Sequence, residues 1–184
     1  MHKAIAQLKS LSPYGQSRRM QTPRPPKMGF EEYEATYWRE RMHTTDDGYV
    51  FIPPMSFKRS LETAAKYLKR RIPGKGKSEY GKHFLSGVLV TDGLKLPVKA
   101  EEVKPLVIPL SSRGRKGEAD VLKWMPVIPQ WQGKVTYYVL DDIITPEVFE
   151  EHLREEGNFI GIGWFRPEKG GYYGRYEILS VDWE

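Results

Sequence analysis

The residues with the clearest chemistry form a local excess of cations. Between Met55 and Ser86 the chain carries nine Lys or Arg and two Glu, a net charge of +7, whereas the rest of the chain sums to −2 against a total of +5. Ammonium and guanidinium groups bind phosphate oxygens through charge-assisted hydrogen bonds, and a local positive excess is typical of polyanion-binding proteins. The pattern predicts phosphate contacts from five of these side chains: Lys58, Arg59, Lys66, Lys75 and Lys77.

A glycine-rich segment near the end of the sequence, Gly161–Arg175, offers a second set of contacts. Glycines allow close backbone approach, cations neutralise phosphate, and aromatic rings can stack on unpaired bases. The combination favours single-stranded nucleic acid over a duplex. An alternative stays open, in which the segment is a tight connection with Trp164 and Phe165 in the core. The candidate contacts are Arg166, Lys169, Gly170, Gly171, Tyr172 and Arg175.

Two further basic segments are candidates. The loop Ser111–Gly117 contributes Arg113 and Arg115, which we also expect to contact nucleic acid. An irregular arm, residues 11–29, contains Tyr14, three arginines and a lysine among four prolines. A second contact surface, a tether to a neighbouring subunit and a disordered tail are all open interpretations of this arm.

The segment Gly74–Ser78 (GKGKS) does not fit a nucleotide-binding loop. A Walker A motif needs a further glycine at the position occupied by Arg71, and it joins a strand to a helix, whereas this segment follows a predicted helix. Gly161 and Gly163 likewise lack the third glycine of a dinucleotide fingerprint, since Arg166 stands there. We interpret residues 74–78 as a basic loop able to approach phosphates, with a merely solvated loop as the alternative.

Catalytic motifs find little support. The chain has no cysteine, and its four histidines show no metal-ligand spacing. We therefore expect no catalytic residue, no metal and no cofactor. A histidine-dependent, metal-independent ribonuclease with His43 or His83 as the base is kept as an alternative.

Composition bounds the class of protein. A chain of 184 residues with 39% hydrophobic content is long enough to bury a core. It contains no apolar run of about 18 residues and no signal-peptide pattern at its first residues. We expect a protein of the cytoplasm, of a bacterium or a phage-infected cell, that does not bind membranes.

Hydrophobic periodicity predicts the elements that would position these residues. Alternation predicts a half-buried strand over residues 3–10 and another over 176–183. Helical spacing predicts helices over 30–42, over 55–71 with Ser56 as N-cap, and from Thr145 to about Gly157. Further strands are expected over 49–52 and 83–90, with a hairpin formed by 121–128 and 134–140.

This order predicts an α+β fold. The interleaving of strands and helices favours a ferredoxin-like, RRM-type βαββαβ core, in which helices cover one face of an antiparallel sheet. We expect one domain, residues 1–184, with the arm at 11–29, an extra helix, and an insertion at 91–120.

Three stretches together resemble a known family. Pro53–Leu61 (PPMSFKRSL), followed by Ala64-Ala65, resembles the first-helix motif of the RAMP superfamily, the RRM-fold backbone subunits of CRISPR effector complexes. Gly161–Tyr176 is similar to the C-terminal glycine-rich loop and last strand of those proteins. Segments 12–17 and 30–41 resemble compact phage and prophage members of the group.

The resemblance implies a function as well as a fold. It implies RNA or single-stranded DNA lying across the first helix and the glycine-rich loop, and head-to-tail assembly along the strand or association with CRISPR-type or phage proteins. It points to Ser56, Lys58 and Arg59 on the helix, and to Gly170, Gly171 and Arg175 on the loop. The short chain leaves little room for large insertions, which favours a phage or prophage relative over a guide-RNA surveillance subunit.

The sequence therefore leaves four functions open. Non-catalytic binding of single-stranded nucleic acid is the leading prediction. The alternatives are a phage anti-defence protein that mimics a backbone subunit and binds proteins, the histidine ribonuclease, and a virion structural protein.

Overall fold

A computed structural model describes residues 1–111 and 120–184 of the chain. These residues form nine strands and four α-helices, supplemented by short 3-10 and π-helical turns. In chain order the elements are β1 (His2–Ser10), β2 (Tyr14–Gly15), α1 (Phe30–Tyr37), β3 (Tyr49–Ile52), α2 (Pro54–Leu68), α3 (Gly81–Gly87), β4 (Val88–Leu89), β5 (Leu94–Lys99), β6 (Pro105–Ser111), β7 (Asp120–Ile128), β8 (Gln132–Val139), α4 (Pro146–Glu155) and β9 (Tyr176–Trp183).

The central sheet is antiparallel and has the strand order β4-β8-β1-β9. With α2 between β1 and β4, and α4 between β8 and β9, this is the βαββαβ order of a ferredoxin-like fold. The predicted α+β, ferredoxin-like class is confirmed. The first and last predicted strands are confirmed as β1 and β9.

One face of this sheet carries the core. Ala4, Ala6 and Leu8 on β1 are fully buried, and they alternate with residues that are partly exposed. Both α2 and α4 pack on this face, and the ring of Phe149 on α4 lies edge-on to Tyr137 with 5.2 Å between ring centroids. The two helices are therefore fixed side by side above the sheet.

The predicted hairpin of residues 121–128 and 134–140 is wrong. β7 pairs with β6 along its length and with β2, in a separate sheet of order β2-β7-β6, whereas β8 pairs with β1 and β4. The turn residue Trp131 is buried, and its backbone N–H donates to the Ser10 hydroxyl over 2.9 Å. Because this ring is buried, the connection between β7 and β8 packs against β1, and the two strands belong to different sheets.

Residues 83–90 also differ from the prediction. They begin within the short helix α3, and only Val88 and Leu89 form a strand. Alternation of apolar residues over so few positions does not separate a strand from a helix turn, and Phe84 and Val88, four residues apart, are both fully buried.

Helix ends follow the expected chemistry in part. The side chain of Thr145 accepts a hydrogen bond from the Val148 N–H, as predicted for the N-cap of α4. Helix α2 begins at Pro54, with Pro53 as N-cap, so Ser56 lies inside the first turn. The same helix ends when Lys69 adopts the left-handed conformation (φ 49°), before Pro73-Gly74 is reached.

The arm is packed against the domain. Its Tyr14–Gly15 stretch pairs with β7, and the Arg18 N–H donates to the Arg41 carbonyl over 3.0 Å. Further along, the backbone N–H groups of Gln21 and Thr22 both donate to Glu40. Arg113 and Arg115 lie outside the described residues, and among the described ones no helix is both long and apolar enough to cross a bilayer.

Candidate nucleic-acid interface

Helix α2, predicted over residues 55–71, and the glycine-rich segment are joined directly. The hydroxyl of Ser60, on α2, donates a hydrogen bond of 2.6 Å to the carbonyl of Gly161, 101 residues later in the chain. Both residues are buried. Ser56 lies one turn before Ser60 and therefore on the same side of the helix. The two regions that the sequence analysis singled out thus share one surface.

A groove of about 400 Å³ opens between these two regions. Helix α2 forms one wall, the start of the glycine-rich segment forms the other, and the arm closes one side. We call this cleft the α2–glycine groove. It is lined by Tyr14, Gln16, Ser17, Arg18, His43, Pro53, Met55, Ser56, Arg59, Ser60, Gly161, Gly163 and Arg166.

The groove has a positive lining. Three arginines, Arg18, Arg59 and Arg166, face it and no carboxylate lines it. Within the described parts of the chain, Arg59 has no carboxylate within 4 Å, whereas Arg166 donates to Glu168 over 2.5 Å. Arg59 is exposed. It is therefore the groove cation most available to a ligand.

Three neutral side chains, His43, Tyr14 and Gln16, also line the groove. Partial burial, with a smaller effect from the neighbouring Arg18, holds the pKa of His43 below its ordinary value, so at neutral pH the ring is uncharged. Burial raises the pKa of Tyr14, whose hydroxyl lies close to Ser56 and Gln16. The Gln16 amide is fixed by donating to the Phe51 carbonyl and accepting from the His43 N–H. The groove thus combines arginine charge with fixed hydrogen-bonding groups.

Close backbone packing explains the glycines of the segment. At Gly174, which has φ 79°, an added Cβ would lie 1.8 Å from the Ile162 carbonyl oxygen. At Gly171 it would lie 1.7 Å from the carbonyl oxygen of Phe165. The segment also docks on the arm, because the Trp164 N–H donates to Gly15 and the Gly174 N–H donates to Pro13, each over 2.8 Å. It is a compact wall rather than a loose loop.

The aromatic residues of the segment divide into two groups. Trp164 and Tyr173 are partly buried and lie 5.4 Å apart between ring centroids. Phe165 and Tyr172 are about half exposed, at 48% and 58%. Exposed rings beside cations are the groups that stack on unpaired bases.

The remaining predicted residues of the segment lie outside the groove lining. Lys169 is exposed and pairs with Glu168 over 3.1 Å, and Gly170 follows it in the left-handed conformation. The Arg175 guanidinium donates to the Asn158 carbonyl over 3.1 Å. These residues therefore extend the surface beyond Arg166 without facing α2.

Lys58 does not occupy the exposed position that the helical pattern suggested. It is 7% exposed, and its ammonium donates to Glu62 over 2.5 Å and to the carbonyls of Phe84 and Leu85 over 3.0 and 2.9 Å. Those carbonyls belong to the last turn of α3, where helix carbonyls lack an intrahelical partner. Lys58 therefore caps α3 and cannot also bind a phosphate.

Three of the predicted lysines lie elsewhere. Lys66 and Lys77 line a second pocket, of about 610 Å³, formed by α2, the following loop and α3. Lys75 is exposed in that loop, near enough to Asp141 to lower the pKa of its carboxyl slightly. The predicted basic surface is thus split between the groove and this pocket.

On the opposite face of the central sheet, the two lysines of β1 are paired with carboxylates. Lys3 pairs with Glu184 over 2.6 Å, and Lys9 pairs with Glu177 over 3.4 Å. RRM domains bind RNA with aromatic rings on their sheet surface, but here each lysine of β1 carries its own carboxylate. The lysines of β1 are therefore less available to a phosphate than Arg59.

Sequence reasoning missed several groove residues. Ser60 was an unremarked polar position on α2, although its spacing of four from Ser56 places both on one side. Arg18 and Tyr14 belong to the arm, and the sequence does not predict where the arm lies relative to α2. The sequence indicates His43 as a candidate catalytic base and not as a residue that lines the groove. The position of His43 in the groove leaves no local signal in the sequence, because it depends on a hydrogen bond from the His43 backbone N–H to the side chain of Gln16, 27 residues earlier.

Comparisons with solved structures agree with the class of fold. The chain shares its ferredoxin-like α+β fold with Cmr-type proteins, at a sequence identity that shows the fold alone. No protein-family model and no curated protein matches the chain. No cluster of three or more His, Cys, Asp or Glu suited to a metal ion occurs in the described part of the structure.

Two of the similar structures can be named. A chain of the Type III-B Cmr-beta structure, which was determined bound to cognate target RNA, aligns with a TM-score of 0.55 at 12% identity over 99% of this chain. The alignment spans 60% of that longer chain. Cmr6 from Pyrococcus furiosus aligns with a TM-score of 0.51 at 12% identity, over 97% of this chain and 99% of Cmr6.

Proposed function

We propose that this protein binds single-stranded nucleic acid, RNA in preference to DNA, in the α2–glycine groove and without cleaving it. The observation that carries the proposal is the groove itself, in which three arginines meet and no carboxylate lies. The likeness to the Cmr-beta structure, which contains target RNA, supports RNA as the ligand.

Each part of the groove has a role in this proposal. Arg59 and Arg18 contact phosphates from the two sides of the groove, while the partly exposed Ser56 offers a hydrogen bond to a sugar hydroxyl or a base edge. The exposed rings of Phe165 and Tyr172 stack on bases that leave the groove. Lys169 and Arg175 add longer-range attraction from the same segment.

A fluorescence anisotropy titration tests the proposal. With phosphate contacts from Arg59 and Arg18, the slope of log K against log salt should be about −1.4 for a single strand. Arg59→Gln should weaken binding and reduce that slope by about 0.7. Lys134→Gln is the matched control, because Lys134 is an exposed β8 lysine outside the groove. Equal binding of single strands and duplex, or equal effects of the two variants, would contradict the groove.

The alternatives give different results in the same experiment. A protein that mimics a CRISPR subunit and acts on other proteins should bind free RNA weakly at physiological salt. A histidine ribonuclease should shorten labelled RNA in the presence of EDTA and lose that activity in His43→Ala or His83→Ala. We expect intact RNA after prolonged incubation. Assembly along the strand would show as a stoichiometry that rises with oligonucleotide length.

A further inference from the structure

The second pocket has its own chemistry. We call it the lysine pocket, and it is lined by Lys66 from α2, Lys77, Ser78 and Glu79 from the following loop, and Gly81, Lys82, His83 and Leu85 from α3. It lies on the opposite flank of α2 from Ser60 and the glycine-rich segment, and it shares no lining residue with the α2–glycine groove.

A histidine–aspartate pair forms part of this pocket. Nδ1 of His83 lies 2.6 Å from Oδ2 of Asp141, and both side chains are about one quarter exposed. The other oxygen of Asp141 accepts a hydrogen bond from the Ile143 N–H over 3.0 Å. These hydrogen bonds, that from His83 first, lower the pKa of Asp141, so the carboxylate stays charged and accepts a hydrogen bond from the Nδ1–H of His83.

The surrounding backbone fixes this pair. An added Cβ at Gly87 would lie 2.6 Å from the Cβ of Asp141, so the close approach of Asp141 to α3 requires glycine there. The Leu140 N–H donates to the Gly87 carbonyl over 2.7 Å, which holds β8 and α3 together. With Nδ1 committed to Asp141, Nε2 is the ring nitrogen left to meet a ligand.

The pocket carries more positive charge than its own carboxylates neutralise. Three lysines line it, Lys66, Lys77 and Lys82, together with Glu79. Lys75 and Asp141 lie just outside the lining, close enough for the Lys75 charge to lower the pKa of Asp141. None of these lysines has a carboxylate within 4 Å among the residues that the structure describes. The balance of the four lysines against the two carboxylates is about two positive charges.

We propose that the lysine pocket binds a phosphate monoester, as found at the end of a nucleic-acid strand. A monoester carries about −1.5 to −2 charges at neutral pH and three acceptor oxygens, whereas a phosphodiester within a strand carries a single charge. Donors that converge from α2, the loop and α3 match the monoester in charge and in number of oxygens. The ring of His83 lines the same pocket and lies beside the bound phosphate.

The pocket is placed to receive the end of a strand held in the groove. Lys66 follows Arg59 by seven residues, so the two lie on the same exposed side of α2 about 10 Å apart. A strand leaving the groove along this side would bring its terminal phosphate to the pocket. This strand-end role rests on the proposed function, whereas binding of the monoester itself does not.

Small phosphates test the pocket without any strand. In NMR spectra of the full chain, methyl phosphate should shift the ring signals of His83, and dimethyl phosphate should not. The shift should be lost in the double variant Lys77→Gln/Lys82→Gln and retained in Lys134→Gln. Equal responses to the two compounds, no response to either, or a response that survives the double variant would overturn the proposal.

Oligonucleotides then test the strand-end role. We expect single-stranded RNA with a terminal phosphate to bind roughly tenfold more tightly than the same RNA with hydroxyl ends, and the 5′- and 3′-phosphorylated forms identify the end. The double variant should lose this advantage and keep the affinity for hydroxyl-ended RNA. If all forms bind alike while methyl phosphate still occupies the pocket, the strand-end role is wrong. If no strand binds, the proposed function fails and methyl phosphate alone decides the pocket.

Discussion

Two adjacent cations of α2, Lys58 and Arg59, should have opposite roles. Lys58 is buried and caps the last turn of α3, whereas Arg59 is exposed in the α2–glycine groove. Replacing each by methionine keeps a side chain of similar length and removes the charge. We expect Lys58→Met to lower the stability of the fold and Arg59→Met to lower only the affinity for RNA.

The contacts of Lys58 set the magnitude. Its removal leaves the Phe84 and Leu85 carbonyls without their donor and Glu62 without its partner. Each unsatisfied buried group costs about 1–3 kcal/mol, and breaking a buried pair costs about 3–5 kcal/mol. Because solvent reaches part of this site, we expect the free energy of unfolding to fall by about 3 kcal/mol. With a typical slope of unfolding free energy against urea concentration, this loss lowers the urea midpoint by about 1–2 M.

Urea unfolding and RNA titration of the same variants separate these effects. Arg59→Met should unfold within about 0.5 kcal/mol of the wild type, as expected for an exposed side chain, and should bind RNA about tenfold more weakly. Lys134→Met should change neither quantity. The reasoning is refuted if Lys58→Met unfolds like the wild type and binds RNA as weakly as Arg59→Met, since Lys58 would then be a phosphate contact.

Other side chains give further predictions. Burial raises the pKa of Glu156 well above its ordinary value, an effect reduced by Tyr176 and Ser60, so the folded state keeps a proton that the unfolded state releases. The free energy of unfolding of the wild type should therefore fall as pH rises above about 4.5, by up to about 1.4 kcal/mol per pH unit. Thermal unfolding of Glu156→Gln should lack this pH dependence. If the pH profiles of the two proteins are parallel, Glu156 is ionised in the folded state. Gly171→Ala should destabilise the segment by several kcal/mol, since its Cβ meets the Phe165 carbonyl, whereas Gly170→Ala, with open space around it, should cost about 1 kcal/mol; equal urea midpoints would argue against the packed wall. Asp141→Asn should leave groove binding of hydroxyl-ended RNA unchanged and weaken the His83 response to methyl phosphate; an unchanged response would show that Asp141 does not orient the ring.

Periodicity predicted the parts of the fold that bury one regular face. β1, α2, α4 and β9 alternate or repeat over eight or more residues, and each covers the same core. The 83–90 segment and the hairpin were mispredicted because their structure depends on distant partners. Val88 forms a strand only through its pairing with Val139. Strand β7 pairs with β6 and not with β8.

The site was predictable in location but not in detail. Composition drew attention to α2 and to the glycine-rich segment, and the Ser60–Gly161 hydrogen bond brings the two together. Charge alone could not distinguish Lys58 from Arg59, because the distinction depends on α3 packing beside one flank of α2. The pairing of His83 with Asp141, 58 residues apart, left no local signal in the sequence.

The most direct test of the groove is to map photo-crosslinks between the protein and single-stranded RNA that contains 4-thiouridine. The account predicts crosslinked peptides from residues 53–60 of α2 and residues 161–175 of the glycine-rich segment. Crosslinks concentrated on the opposite face of the central sheet, around Ile5 and Tyr138, would contradict it and would indicate an RRM-like sheet surface as the binding site.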